Sequence, residues 1–387
     1  MKNNLADRNS AEWTALLECA SPYADFARLR ELLQHVSWPA LFTLAEEHGV
    51  IARLAGGLRG FEDGFVPQGT SQKIRDAYRA QALSSLKMIA ELLRLVELFR
   101  ASRLDIMLVK GPTLSVRAYG DAGARLFGDL DFLLRQQDIP RAAELMAAAG
   151  YQSDISLQAI RTQKIPGQYR FIRTGAPLLV ELHTERTMRY FPRGLPLQDF
   201  FSRRQNVLVE EHEIPALSTE DELLLICIHG AKHLWQHLAL VADVAALAAR
   251  QVALDWESSF KTARNAGAER MLHTGLLLAH NLLRAPLPQS IQARIHADAA
   301  AARLVTQIAT WLPAAGHAPP SLLSRALFRV RLRGNTISGV AYLLTLTFSP
   351  TEEDWNTPGG EKPLGHWPNL SRPFRLAKKY RAGKEKS

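Results

Sequence analysis

Two aspartates separated by one residue, Asp129 and Asp131, begin an apolar run in the sequence DLDFLL. Residues i and i+2 of a β-strand project from the same face, so a strand here would place the two carboxylates side by side. Adjacent carboxylates repel each other, and keeping both ionised in a partly buried site requires a cation, for which Mg²⁺ with its oxygen ligands is suited. The alternative is a pair of solvated carboxylates at an ordinary strand end.

A third acid, Glu181, lies in the run LLVELH, which we expect to form a neighbouring strand. With Asp129 and Asp131 it would complete a triad of metal ligands for one or two Mg²⁺ ions. Two such ions stabilise both the attacking and the leaving oxygens of a phosphoryl displacement. His183 shares the face of Glu181 by strand spacing. An exposed hairpin position for Glu181 and a purely structural role for His183 stay open as alternatives.

Phosphate groups require positive charge and free N–H donors, and Lys110-Gly111 offers both. The pair follows the apolar run IMLV and precedes Pro112, a residue suited to the first turn of a helix. A helix that begins here would present backbone N–H groups and its positive end to an anion. Arg125, four residues before Asp129, could contact a triphosphate oxygen.

The segment 219–250 has the apolar periodicity of one long helix that begins after Ser218. At about 100° per residue, six of its side chains fall within a sector of roughly 100°. Because polar side chains converge on this sector while leucines lie elsewhere on the helix, we interpret it as a face presented to a partner. Structural histidines, a zinc pair, or an aspartate paired with Lys or Arg of a neighbouring helix are the alternatives. The six are His229, Lys232, His233, Gln236, Leu240 and Asp243.

The elements that must position these residues form a small β unit between helical regions. Apolar runs predict strands at 106–109 and 130–134, and the next two predict a hairpin of 169–173 with 177–183. The sequence therefore predicts an α+β fold, with a small mixed β-sheet core between N-terminal and C-terminal helical regions. The expected domains are an N-terminal helical region (1–103), the α/β core (104–215), a C-terminal helical domain (216–350), and a Pro/Gly-rich segment with a basic tail (351–387).

Composition excludes several classes of protein. Among 387 residues, 47% hydrophobic and 22% charged side chains are typical of a soluble globular chain. No apolar stretch reaches the roughly 18 residues of a membrane span, and the first residues lack the apolar core of a signal peptide. We therefore expect a cytoplasmic protein without a membrane partner. Cys19 and Cys227 show no metal-ligand spacing, and we expect them to be buried apolar residues.

The formal net charge of +9 favours an anionic partner. Much of the excess lies in RALFRVRLRGN and in the tail RPFRLAKKYRAGKEKS. Apart from the tail, the sequence shows no stripe of basic residues with interleaved aromatics. Long nucleic acid is therefore not the partner we expect.

These motifs together resemble the DNA polymerase β type nucleotidyltransferase superfamily, and in particular its bacterial group of uncharacterised nucleotidyltransferases. The resemblance spans roughly residues 85–350. Superfamily members usually carry Gly-Ser where this chain has Lys110-Gly111, and aspartate is common at the position of Glu181. The matching elements read VKG (109–111), Arg125, DLD (129–131), Glu181-Leu182-His183, His229 with Lys232 and His233, Asp243, and a closing DW and RP pattern at Asp354-Trp355 and Arg372-Pro373.

The resemblance implies Mg²⁺-dependent transfer of a nucleotidyl group from an NTP to a hydroxyl-type acceptor on a small molecule, peptide or protein. ATP is the first candidate for the NTP. The three acids would bind metal, and Glu181 or a histidine would help to deprotonate the acceptor. Lys110, Gly111 and Arg125 would hold phosphates. The polar sector of the 219–250 helix would face the nucleotide or the acceptor, with Lys232 near a phosphate and a histidine as a candidate general base. The alternatives are a non-catalytic nucleotide-binding regulator, such as an antitoxin-like protein, and a template-independent RNA polymerase. An intact set of three acids favours the enzyme over a binding protein.

Overall fold

A computed structural model describes residues 10–161, 167–175, 178–184, 197–250, 253–314 and 321–334, with five further positions between 337 and 344. The helices are α1 (Ala11–Ala20), α2 (Phe26–Leu33), α3 (Trp38–Glu47), α4 (Ile51–Gly57), α5 (Gln68–Ala101), α6 (Gly111–Tyr119), α7 (Ile139–Ala148), α8 (Leu157–Arg161), α9 (Leu197–Arg203), α10 (Thr219–Lys232), α11 (Leu238–Arg250), α12 (Trp256–Asn265), α13 (Glu269–Leu283), α14 (Gln289–His296), α15 (Ala299–Trp311) and α16 (Leu322–Arg331). The strands are β1 (Ile106–Val109), β2 (Asp129–Leu134), β3 (Tyr151–Ser153), β4 (Gln168–Arg173), β5 (Leu179–His183), β6 (Gln205–Val209) and β7 (His212–Ala216).

Within the described residues, the strands form one seven-stranded mixed sheet in the order β3-β4-β5-β2-β1-β7-β6. β2 pairs with β5, and β1 with β7, in parallel, while the other neighbours are antiparallel. Helices precede and follow this unit along the chain. The predicted α+β fold with its small mixed sheet between helical regions is confirmed, including the hairpin of β4 and β5.

The two faces of the sheet pack into different cores, as the period of two along a strand requires. Leu130 and Phe132 point into the core formed with α5 and α7. Leu133 points into the other core, which joins the N-terminal helices to α10, α11 and α13. Asp129 and Asp131 share the face of Leu133 by strand alternation. The acids therefore lie on the side of the sheet that the C-terminal helices cover.

The N-terminal helices are tied to the C-terminal ones at the end of α3. His48 is fully buried, and its Nδ1 accepts a hydrogen bond of 3.1 Å from the Leu238 N–H at the start of α11. The carbonyl of His48 accepts the Ala239 N–H at 3.1 Å. These contacts fix α3 against the helix that carries Asp243.

The predicted single helix over 219–250 is wrong, because the chain turns between α10 and α11. Leu234 and Trp235 have positive φ angles of 57° and 53°. The turn buries the Trp235 side chain completely. A Cβ at Gly230 would lie 2.5 Å from the Trp235 ring, and one at Gly275 would lie 3.0 Å from it. The large ring thus fills a space that two glycines leave open, and its burial ends α10.

This turn corrects the predicted polar sector. His229 and Lys232 belong to α10, and His233 caps its C-terminus. Asp243 lies on α11, a separate helix with its own direction, so the angular relation assumed along one helix does not hold.

Other expectations concern single residues or the chain end. Cys19 and Cys227 are buried and free, as expected. No helix in the described ranges is long and apolar enough to cross a membrane. The segment 351–387, with the closing DW and RP pattern, lies outside the described residues. The domain limits stay a prediction.

Protonation of His48 should weaken the fold in acid. Burial, followed by the charge of His237, lowers the pKa of His48 from 6.5 to about 4. Because the folded state holds this ring neutral while the unfolded chain takes up a proton, stability falls as the pH drops from 6.5 to 4. At about 1.4 kcal/mol per pKa unit, the loss approaches roughly 3 kcal/mol.

Urea unfolding at several pH values measures this loss for the wild type and for His48→Gln, which cannot titrate. The variant should have the flatter profile between pH 6.5 and 4, and the exposed His35→Gln should follow the wild type. Parallel profiles for wild type and His48→Gln would contradict the assignment.

Candidate active site

The parallel pairing of β2 with β5 places two of the predicted metal ligands opposite each other. Asp131 pairs with Glu181, and Leu133 with His183. One ligand atom each of Asp131, Glu181 and His183 lies within 4.8 Å of the others. Asp131 and two residues of β5 far from it in sequence therefore form a cluster that could hold a metal ion.

His183 bridges the two carboxylates. Its Nε2 lies 3.1 Å from Oδ1 of Asp131 and 3.3 Å from Oε2 of Glu181. Burial alone would lower the pKa of His183, but the charge and hydrogen bond of Asp131, together with those of Glu181, outweigh it and raise the pKa to about 9. At neutral pH the imidazole ring of His183 is therefore positively charged, and its Nε2–H donates a hydrogen bond to Asp131.

Lys110 supplies a second positive charge to the same carboxylate. Its Nζ lies 2.9 Å from Oδ2 of Asp131 and 3.5 Å from Nδ1 of His229. Burial would raise the pKa of Asp131, yet Lys110, and then His183, hold it well below its usual range. Asp131 is thus ionised, although only 7% of its surface is exposed.

Asp129 has the opposite electrostatic balance. Partial burial, followed by repulsion from Asp131, raises its pKa, and the charge of Lys110 opposes the rise without cancelling it. Asp129 is outside the three-residue ligand cluster that the described residues form. It nevertheless lies near enough to Asp131 and Glu181 for their negative charges to raise its pKa. The acids are therefore crowded, which is the condition that a divalent cation relieves.

The backbone of Lys110 is held in a conformation that normally requires glycine. Its φ is 61° and its ψ is −133°, directly before Gly111, whose φ is 51°. A side chain in this region costs of order 1–3 kcal/mol, and such strain is concentrated at functional sites. The carbonyl of Lys110 accepts a hydrogen bond of 2.8 Å from the Thr113 hydroxyl within α6. The chain thus places a lysine side chain at this strained corner.

Glu181 is oriented by two residues of β4 that the sequence did not reveal. Gln168 Nε2 donates a hydrogen bond of 2.7 Å to Oε2 of Glu181. Arg170 pairs with Glu181 across the antiparallel hairpin, and its Nε lies 3.6 Å from Oε1. Because the length of a hairpin turn sets the register of its strands, the turn between β4 and β5 is the sequence signal for the contact of Arg170 with Glu181.

Arg125 and Asp243 form an ion pair beside the acids. Nε of Arg125 donates to Oδ2 of Asp243 at 2.7 Å, and the Tyr119 hydroxyl donates to Oδ1 at 2.9 Å. The alternative for Asp243 was a pair with Lys or Arg of a neighbouring helix, but its partner Arg125 lies in the loop between α6 and β2. The sequence did not predict the contact of Asp243 with Tyr119, the last residue of α6. The predicted contact of Arg125 with phosphate stays a prediction.

His229 and His233 lie with their ring centroids 4.5 Å apart. Loss of hydration lowers the pKa of both rings, with the next contribution from Lys110 for His229 and from Lys232 for His233. Both are therefore neutral at physiological pH. In the part of the chain that the structure describes, neither joins a third metal ligand, so the zinc alternative gains no support. Arg329 of α16 adds a positive charge near His233 that the sequence did not predict.

Lys110 offers a test of the strained corner. Lys110→Gly should be more stable than Lys110→Ala by about 1 kcal/mol or more, because glycine adopts a positive φ without penalty. At Lys87, on the exposed side of α5, the order should reverse, since glycine in a helix costs about 1 kcal/mol relative to alanine. Thermal unfolding of the four variants measures both differences. Greater stability of Lys110→Ala would contradict the strain.

The family model described as "uncharacterised nucleotidyltransferase" matches residues 34–284. The chain belongs to this family. Membership supports a transferase and confirms the resemblance seen in the sequence. None of the curated proteins matches the chain significantly.

One solved structure is similar to part of the chain, an antigenic nucleotidyltransferase-like protein from Paracoccidioides brasiliensis. The two are 14% identical over 54% of this chain and 94% of that one, with a TM-score of 0.33.

Proposed function

We propose that this nucleotidyltransferase family member transfers a nucleotidyl group from an NTP, with ATP as the first candidate, to a hydroxyl group of a small molecule, peptide or protein, and that it requires Mg²⁺. The observation that carries the proposal is the pairing of Asp131 with Glu181 across two parallel strands, beside Asp129 and Lys110. The acids and the ammonium group of Lys110, which would bind phosphate, then lie at one place on the sheet.

The residues present fit a hard divalent cation. Asp129, Asp131 and Glu181 provide carboxylate oxygens, the donors that Mg²⁺ prefers. Burial, and then the charges of Asp131 and Glu181, raise the pKa of Asp129, and Lys110 and Arg125 do not cancel the rise. These three acids would hold one or two ions, which when bound would neutralise the charge that develops on the phosphates.

Positive groups around the acids would bind the triphosphate. Lys110 and the backbone N–H of Gly111 stand at the N-terminus of α6, where the helix dipole favours an anion. Arg125 is oriented by Asp243 through Nε, an arrangement that would leave the outer guanidinium nitrogens for a phosphate oxygen. Lys232, with His229 and His233 on the neighbouring α10, would complete the phosphate-binding surface.

The transfer requires a base for the acceptor hydroxyl. As its proton is removed, the acceptor oxygen would bond to the α-phosphorus, and the bond from that phosphorus to the bridging oxygen of the β-phosphate would break to release pyrophosphate. His183 is positively charged at neutral pH and cannot accept a further proton, so Glu181 is the better candidate for the general base. Gln168 and Arg170 would hold its carboxylate in place.

A non-catalytic nucleotide-binding protein is the second candidate, and one observation favours it. Lys110 and His183 already contact Asp131, and could stabilise the acids without any metal. In that case calorimetry should find NTP binding that is indifferent to Mg²⁺, with no pyrophosphate released.

The double variant Asp129→Asn with Asp131→Asn should reduce Mg²⁺-dependent pyrophosphate release by about a thousandfold or more, since metal ions supply several kcal/mol of charge stabilisation. Release is measured with a panel of NTPs and candidate acceptors. Because the Asp131→Asn change would leave Lys110 and His183 without their anion, Glu181→Gln serves as a second, milder variant with the same expected direction.

The matched control is Asp63→Asn with Asp76→Asn, two exposed carboxylates elsewhere on the chain. It should retain wild-type turnover, and circular dichroism should show all variants folded. Unchanged pyrophosphate release in the site variants would refute the metal assignment.

A further inference from the structure

A cleft of about 400 Å³ separates the N-terminal helices from the segment that follows α6. Residues of α1, α4 and α5 form one side, and Tyr119, Asp121 and Ala124 form the other. None of the metal-site acids lines it. The cleft is therefore distinct from the active site, and its volume is that of a small-molecule site.

Two guanidinium groups in this cleft have no carboxylate within ion-pair distance among the described residues. Arg53 lies over the Tyr119 ring at 4.1 Å and donates a hydrogen bond of 3.1 Å to the Ala124 carbonyl. Arg59 lies 5.7 Å from the centroid of the Tyr78 ring and donates a hydrogen bond of 3.3 Å to the Tyr78 hydroxyl. Each arginine thus keeps its charge beside an aromatic ring. The only acid of the lining, Asp121, accepts the Gly123 N–H at 2.8 Å.

Gly56 indicates that this space is kept open. Gly57, its neighbour in α4, has a packing reason to be glycine, because a Cβ there would lie 2.9 Å from Sγ of Cys19. A Cβ at Gly56 would meet no atom within 4 Å. Glycine in a helix is about 1 kcal/mol less favourable than alanine, so packing does not account for Gly56. What the missing side chain does is leave the cleft unobstructed.

The cleft adjoins the segment that leads to the metal site. Tyr119 contributes to its lining and also donates its hydroxyl to Asp243, which pairs with Arg125. Ala124, held by Arg53, immediately precedes Arg125. A ligand in the cleft would therefore contact residues that hold Arg125 in place.

We propose that this cleft binds a small anion that carries a planar ring. The anionic group, a phosphate or a carboxylate, interacts with Arg59 and Arg53, because guanidinium forms its strongest hydrogen bonds with such groups. The ring packs against Tyr78 and Tyr119 and the adjacent guanidinium planes. This site does not depend on the nucleotidyl transfer proposed above.

Calorimetry on the whole chain, without nucleotide or Mg²⁺, tests the proposal with three probes: phenyl phosphate, inorganic phosphate and phenol. Phenyl phosphate should bind about tenfold more tightly than either of the others, since aromatic and cation–π contacts contribute about 1 kcal/mol or more. Equal affinities for the three, or no saturable binding of phenyl phosphate, would overturn it.

Variants locate the binding. Gly56→Leu, which fills the cleft, and Arg59→Gln, which removes a charge, should each weaken phenyl phosphate binding at least about tenfold. Gly69→Leu is the matched control, because a Cβ there also meets nothing within 4 Å and Gly69 lies outside the lining. Lys110→Gly tests whether the probe binds at the active site instead.

Retention of binding in Gly69→Leu and Lys110→Gly, with loss in the two cleft variants, supports the site. Loss in Lys110→Gly, or unchanged binding in both Gly56→Leu and Arg59→Gln, contradicts it. Because no nucleotide or metal is present, either result stands whether or not the chain releases pyrophosphate.

Discussion

The parallel pairing of β2 with β5 is the constraint on which the rest of the site depends. In this register Asp131 faces Glu181, while Leu130 and Leu182 of the same strands are completely buried in the core on the other face. A slip of one residue would turn a carboxylate into that core and a leucine out of it. Burial of the leucines therefore fixes the distance between two acids that belong to separate parts of the chain.

Fixing acids so close together creates an electrostatic cost that the neighbouring residues reduce. Lys110 and His183 lower the pKa of Asp131, yet that of Asp129 stays raised. The fold even accepts a glycine-like backbone at Lys110, which brings the Nζ charge to Asp131. Crowded carboxylates in an oxygen-rich cluster are the condition that a bound divalent cation would relieve.

Local patterns in the sequence predicted β1, β2, β4 and β5 and the shared face of Asp129 and Asp131, because apolar runs and a period of two depend only on neighbouring residues. They did not predict β3, β6 and β7, the other three of the seven strands described. They did not predict the break before α11, since the apolar periodicity continues through it. That break is caused by Trp235 packing against glycines of two helices, a contact between distant parts of the chain. The pairing of Asp243 with Arg125 and the support of Glu181 by Gln168 are long-range contacts of the same kind.

We propose that the carboxylates gathered by this register bind a divalent cation for nucleotide chemistry. Electron paramagnetic resonance with Mn²⁺ in place of Mg²⁺ tests it most directly, in the presence of a non-hydrolysable NTP analogue. We expect one or two Mn²⁺ ions to bind the wild type, Glu181→Gln to lose this binding, and Asp63→Asn, altered at an exposed carboxylate, to keep it. Absence of bound Mn²⁺ in the wild type, or equal binding by Glu181→Gln, would contradict the claim.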